Sequence, residues 1–136
     1  MKTVSLFSRW VYPLVFLLLL ASFAYIADAA GQSSYPATAE EAIAYFEGQV
    51  DNWLSGPVDY IILDDERNQW DTLETTDQRR AFINWFWARR DVDLRDSGNP
   101  FKINFYERVA TANQRFRGFP RGWKSDQGLV WVIIDR

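Results

Sequence analysis

The sequence predicts a small α+β domain, mostly helical with two core strands, preceded by one N-terminal transmembrane or signal helix. Three observations predict it. Two capping boxes, Thr38-Ala39-Glu40-Glu41 and Thr75-Thr76-Asp77-Gln78, each open a stretch of helical apolar spacing. Two apolar runs, Val58–Leu63 (interrupted only by Asp59) and the unbroken Leu129–Ile134, read as strands that pair in the core. An apolar stretch from Trp10 to Ala27 stands apart from both.

That first stretch comes after Lys2 and Arg9, with no acid before it. As a cleaved signal it has a basic start, an apolar middle and a small-residue site at Ala27-Asp28-Ala29. As an anchor its eighteen residues give roughly 27 Å of helix. Trp10, Tyr12 and Tyr25 then suit the two interfaces, Pro13 the first turn, and Leu17 to Leu20 the apolar centre. Both readings leave Lys2 and Arg9 in the cytoplasm and export the chain after Asp28. We expect the uncleaved form: a single-pass inner-membrane protein with its domain in the periplasm, the alternative being a soluble periplasmic product. The organisation expected is anchor or signal 1–30, linker 31–37 and domain 38–136.

After the polar linker, the first capping box starts a helix carrying Ile43, Phe46, Val50 and Trp53, stopped by Gly56-Pro57. The strand Val58–Leu63 leads into Asp64-Asp65-Glu66-Arg67, whose acids suit the start of a short helix reaching about Leu73. The second capping box opens a helix to about Arg90, with Phe82, Ile83, Trp85, Phe86 and Trp87 covering more than one face. A polar loop ends in Ser97-Gly98-Asn99-Pro100. The helix from Phe101 to about Arg117 has one clean stripe: Phe101, Phe105, Val109, Ala112 and Phe116. Then comes Gly122-Trp123-Lys124-Ser125-Asp126-Gln127-Gly128. Its glycines suit a tight turn with φ > 0, Trp123 plugs the turn into the core, and Ser125 and Asp126 can bond their own backbone.

That heptapeptide resembles the GWxTD domain of bacterial envelope proteins, with Ser125 in place of the motif's threonine. The resemblance extends over roughly Trp53 to Ile134. Glu66-Arg67 is similar to the family's acid–arginine pair. The run Phe82 to Asp91, with Trp87, Arg90 and Asp91, is similar to one of its helix ends, and Arg108, Val109, Ala112, Asn113 and Phe116 to another of its helices. With Gly122, Trp123, Ser125, Asp126 and Gly128 these form the structural motif. Gln127 departs from an expected arginine and Pro100 from an expected glutamate. The chain stops after the last strand, which implies a minimal version of the domain. The resemblance brings no activity with it.

Composition narrows the chemistry. Cys and His are both absent, which removes thiol nucleophiles, disulfides, the usual zinc sites and histidine acid–base catalysis. Seven Trp, ten Phe and six Tyr are enough both to fill a core and to leave interface anchors. Charge is segregated: residues 31–77 carry eleven acidic and one basic residue, and residues 78–136 carry six acidic and twelve basic ones. Folding is expected to join these halves by ion pairs, and the overall charge of −3 argues against nucleic acid as partner.

Asp64, Asp65 and Glu66 form a carboxylate cluster, better read as a helix start than as a cation site, and Ser125 beside Lys124 offers a weak nucleophile pattern. We expect Glu66, Arg90, Asp91, Arg108 and Asp126 to form a buried or half-buried ion-pair network locking the turn to the helices. No cofactor or metal is expected. The function expected is that of a non-catalytic, membrane-anchored accessory subunit whose domain docks on a larger membrane complex, respiratory or photosynthetic for example. Tyr35, Tyr60, Trp70, Trp131, Arg117 and Arg121 are the candidate interface. A secreted hydrolytic enzyme, or an exported glycan- or peptide-binding module, is the alternative.

Overall fold

Helices dominate the computed structural model, which describes residues 35–92, 98–118 and 121–134. The expected N-terminal anchor, with Trp10, Tyr12, Pro13, Leu17, Leu20 and Tyr25, lies outside the described residues. Among the described residues no helix is long and apolar enough to cross a membrane.

The described residues hold five α-helices, with 3₁₀ turns between the first two and before the last: α1 (Ala39–Gly48), α2 (Asp64–Asp71), α3 (Thr76–Ala88), α4 (Pro100–Arg115) and α5 (Asp126–Ile134). The expected caps form. Thr38 Oγ1 accepts the Glu41 N–H at 3.2 Å, and Glu41 reaches back to Ala37 N–H at 2.8 Å. At α3 the exchange is reciprocal: Thr75 Oγ1 takes the Gln78 N–H, and Gln78 Oε1 takes the N–H groups of Thr75 and Glu74. Asn99 caps α4 through Lys102 N–H at 2.9 Å, and Pro100 occupies the position after the cap, where a missing N–H does no harm.

Both expected strands are absent among the described residues. The first, 58–63, begins as a 3₁₀ turn, Pro57–Tyr60, in which Ile61 and Ile62 donate to Val58 O at 3.0 Å. Pro57 fixes φ and lacks the N–H a ladder needs. The remaining groups go to side chains: Ile61 O accepts from Arg90, and Leu63 N–H donates to Glu66. The second, 129–134, lies within α5. Its first helical bond, Leu129 N–H to Ser125 O, is 2.8 Å long. The capped helix start outweighs the strand preference of its Val and Ile residues. Over the described residues the fold is therefore all-helical, not α+β.

Helix α4 is central, packing against α1, α5 and the 3₁₀ turn Gly122–Lys124. The core is aromatic. Trp53, Phe86, Phe105 and Tyr106 are almost fully enclosed, and Trp53 meets Phe86 edge-to-face at 5.0 Å. The charge halves meet as anticipated: Glu47–Lys102 at 2.7 Å, Asp51–Arg79 at 2.9 Å and Glu66–Arg90 at 2.7 Å. The compact unit begins at Tyr35. Pro36 is buried and its carbonyl accepts from Asn113, while Ala37 O accepts from Gln114, so the end of the expected linker packs on α4.

Candidate functional site

The Gly122–Gly128 segment joins α4, α5 and the core. Trp123, 2 % exposed, lies edge-to-face with Phe46 at 5.8 Å and with Tyr60 at 5.6 Å. Its backbone N–H donates to Asn113 Oδ1, and its carbonyl accepts from the Tyr60 hydroxyl. Ser125 is the cap of α5. Its hydroxyl donates to Gly122 O at 2.7 Å and accepts from Gly128 N–H at 3.0 Å. Asp126 is next, exposed in the first turn, where its charge complements the helix dipole.

The glycines serve a different purpose from the one expected. Among the described residues none has positive φ. Close approach requires them instead. A Cβ on Gly122 would fall on Ala112 O and 2.9 Å from Asn113 Cα. One on Gly128 would fall on Gly122 O and 2.8 Å from Trp123 Cα. The two glycines let α4, the turn and α5 meet backbone to backbone.

A second cluster ties α2 to α3. The Glu66 side chain is only 2 % exposed, and Arg90 binds it with both terminal nitrogens, at 2.9 and 2.7 Å. Arg90 also donates to Phe86 O and Ile61 O and lies 3.6 Å from the centre of the Phe86 ring. Burial alone pushes the Glu66 carboxyl up. The Arg90 and Leu63 hydrogen bonds, with the charges of Arg90 and Arg89, outweigh it and hold the pKa below the ordinary 4.5.

The expected network is thus divided. Glu66 and Arg90 meet, but Arg108 Nε donates to Val132 O at 2.9 Å, near the C-terminus of α5, whereas Asp126 stands at its start. Arg67 pairs with Asp59 at 2.6 Å, Trp87 is buried among Phe86, Phe105 and Tyr106, Asp91 is half-buried and Phe116 packs on the core. Asp64 and Asp65 are exposed while Glu66 turns inward, and no described group of His, Cys, Asp or Glu is placed to hold a metal ion.

Of the candidate interface residues, Trp70 is buried against Trp53 and Phe82, so it is no exposed anchor. Tyr60 and Trp131 are half-buried, the latter beneath Arg115 at 4.1 Å, and the exposed Arg117 donates to Gln114 O. Tyr35 and Arg121 line the same hollow. They share a cavity of about 210 Å³ with Tyr45, Gln49 and Asn52, over Phe46 and Trp123.

Two features escape the sequence. The first is that cavity, assembled from residues distant in the chain. The second is the outer face of α5, where Val130, Ile133 and Ile134 are 53, 42 and 67 % exposed. Their i, i+3, i+4 spacing is helical, but an unbroken apolar run hides it.

These observations define a class: an all-helical domain assembled round a capped Gly-Trp turn and a buried acid–arginine clamp. The family model of the GWxTD domain matches residues 24–136, and the chain belongs to that family. No curated protein and no solved structure matches the chain.

Proposed function

We propose that this chain is a non-catalytic accessory subunit, anchored through its N-terminal segment, whose domain docks on the exported surface of an integral membrane complex. The outer face of α5 carries this reading. Three large apolar side chains, Val130, Ile133 and Ile134, stand together in water on a helix that ends the described residues. A partner that covers them removes that cost. The sequence supports a partner at the membrane: an apolar segment precedes the domain by only a few residues, and seven residues reach at most about 25 Å. That short reach favours a membrane protein as the partner.

The turn chemistry favours the same side. A serine nucleophile needs a base for its proton, whereas Ser125 gives its proton to a backbone carbonyl and is 7 % exposed. Lys124 turns to the Trp123 ring, 5.1 Å away.

The test is a mild-detergent purification of tagged protein from native membranes, paired with the variant Ile133→Lys. Stoichiometric integral membrane subunits, residues 1–30 still attached, and loss of those subunits in the variant at unchanged melting temperature would support the proposal. A chain recovered alone and soluble, starting near Ala30, would overturn it.

A further inference from the structure

The cavity between α1, the 3₁₀ turn Val50–Ser55 and the start of the Gly122 turn is a second candidate site, sharing no residue with α5. Its floor is aromatic: Phe46, from α1, and Trp123. Tyr45 forms a wall, 41 % exposed and edge-on to Phe46 at 5.0 Å. The rim is polar, and its groups are largely uncommitted. Gln49 spends one amide hydrogen on Tyr45 O. Asn52, Ser55 and Arg121 have no side-chain bond to a described residue.

The charge of the site is its distinguishing feature. Eleven acidic residues lie between positions 31 and 77, yet none lines the cavity. Asp51, which sits between Gln49 and Asn52, turns away to Arg79 at 2.9 Å and toward Thr76. Glu47 is held by Lys102 at 2.7 Å. Arg121 thus faces an aromatic hollow with amides and a hydroxyl beside it and no carboxylate among the described residues of the lining. A volume of about 210 Å³ holds one large side chain, not an extended polymer.

We infer that this cavity binds a carboxylate carried on a single apolar or aromatic group, with Arg121 taking the carboxylate and Tyr45, Phe46 and Trp123 enclosing the apolar part. Arg121 supplies the planar fork that matches a carboxylate. Asn52 and Gln49 offer an amide donor and acceptor to a neighbouring peptide unit. The chemistry fits both a peptide C-terminus and a free acyl-amino acid.

The test is titration calorimetry on the full chain in detergent micelles, with N-acetyl-phenylalanine, its carboxamide, and the tripeptide Gly-Gly-Phe as probes. Both acids should bind, and the carboxamide at least about tenfold more weakly, as loss of a charge-assisted bond requires. Arg121→Gln should weaken the acids by a similar factor and leave the carboxamide unchanged. Tyr45→Ala should weaken all three. Arg80→Gln, an exposed arginine outside the cavity, should change nothing. Tighter binding of the tripeptide identifies a peptide chain end as the ligand, and equal or tighter binding of the acetyl acid identifies a small molecule. Equal binding of acid and carboxamide, insensitivity to Arg121→Gln, or no heat from either acid at 10 mM (about the weakest affinity such a pair would give) would overturn the inference. None of these results bears on docking through α5, which has its own variant.

Discussion

Replacing Gly128 by alanine sets two physical effects against each other. Gly128 lies in the first turn of α5, and helix propensity alone favours alanine there by up to about 1 kcal/mol. Steric contact opposes it. The added Cβ would fall on Gly122 O and 2.8 Å from Trp123 Cα, and both are backbone atoms that cannot rotate away. Relief requires α5 to move off the turn, stretching the 3.0 Å bond from Gly128 N–H to Ser125 Oγ and unseating Trp123. Overpacking of this kind costs about 1–3 kcal/mol, and a lost helix cap about 1 kcal/mol more. Sterics therefore win by about 2 kcal/mol, and at 4–8 °C per kcal/mol the melting temperature should fall by about 10 °C. Gly48→Ala is the control. It too is helical, but nothing stands within 4 Å of its added Cβ, so propensity acts alone and the variant should melt at or slightly above the parent. Near-UV circular dichroism of the full chain in micelles reads both. A Gly128→Ala protein as stable as Gly48→Ala would refute the backbone-contact account of the motif.

Glu66→Gln leaves the Arg90 guanidinium facing a neutral amide in a buried setting, and equilibrium denaturation should show a loss of about 3–5 kcal/mol. Ser125→Ala removes the cap of α5 and should cost about 1 kcal/mol, whereas Ser125→Thr keeps the hydroxyl and should lie close to the parent in the same assay. The Glu66 carboxyl titrates lower in the folded chain than when unfolded, so its contribution is complete above pH 4.5. Stability measured against pH should decline as pH falls below 4.5 through the folded pKa, and this slope should be shallower in Glu66→Gln. At the alkaline end, burial and then the Glu47 charge push the Tyr106 hydroxyl well above its ordinary 10.0. Stability should fall as pH rises past 10.0, where the unfolded chain ionises first, and Tyr106→Phe should flatten that decline.

The sequence is legible where the chain signals locally and illegible where it does not. Thr38 with Glu41, and Thr75 with Gln78, announce helix starts through side chains that bond their own backbone, and both helices form. The stripe from Phe101 to Phe116 announces α4 because one face alone is apolar. Leu129–Ile134 carries no such contrast: six apolar residues in a row fit a buried strand and a helix equally. The deciding signal is Ser125-Asp126, a helix cap with an acid after it in the first turn. The glycines around it suggest a φ > 0 turn, and a capping box would have had Glu or Gln where Gly128 stands. Pro57 misleads similarly, since it can open a 3₁₀ turn as well as precede a strand. The acid–arginine clamp is visible as two separate motif fragments, but no local rule says that residue 66 binds residue 90.

What the motif residues do inside the molecule bears on where its function lies. Gly122, Gly128 and Ser125 are occupied by close backbone contact and capping, Trp123 by the core, Glu66 and Arg90 by each other, and Asn113 by the Trp123 N–H and Pro36 O. A group whose bonds are already made internally has little left to offer a partner. The surfaces with unmet capacity lie elsewhere: the apolar outer face of α5, and the aromatic cavity beside Arg121. The motif bears on both only by position, because Ser125 starts the helix that presents Val130, Ile133 and Ile134, and Trp123 floors the cavity. The motif thus sets the scaffold, and under the proposed function partner choice rests on the residues it holds in place. Two chains with the same motif and different residues at 121, 130, 133 and 134 should fold alike and bind differently.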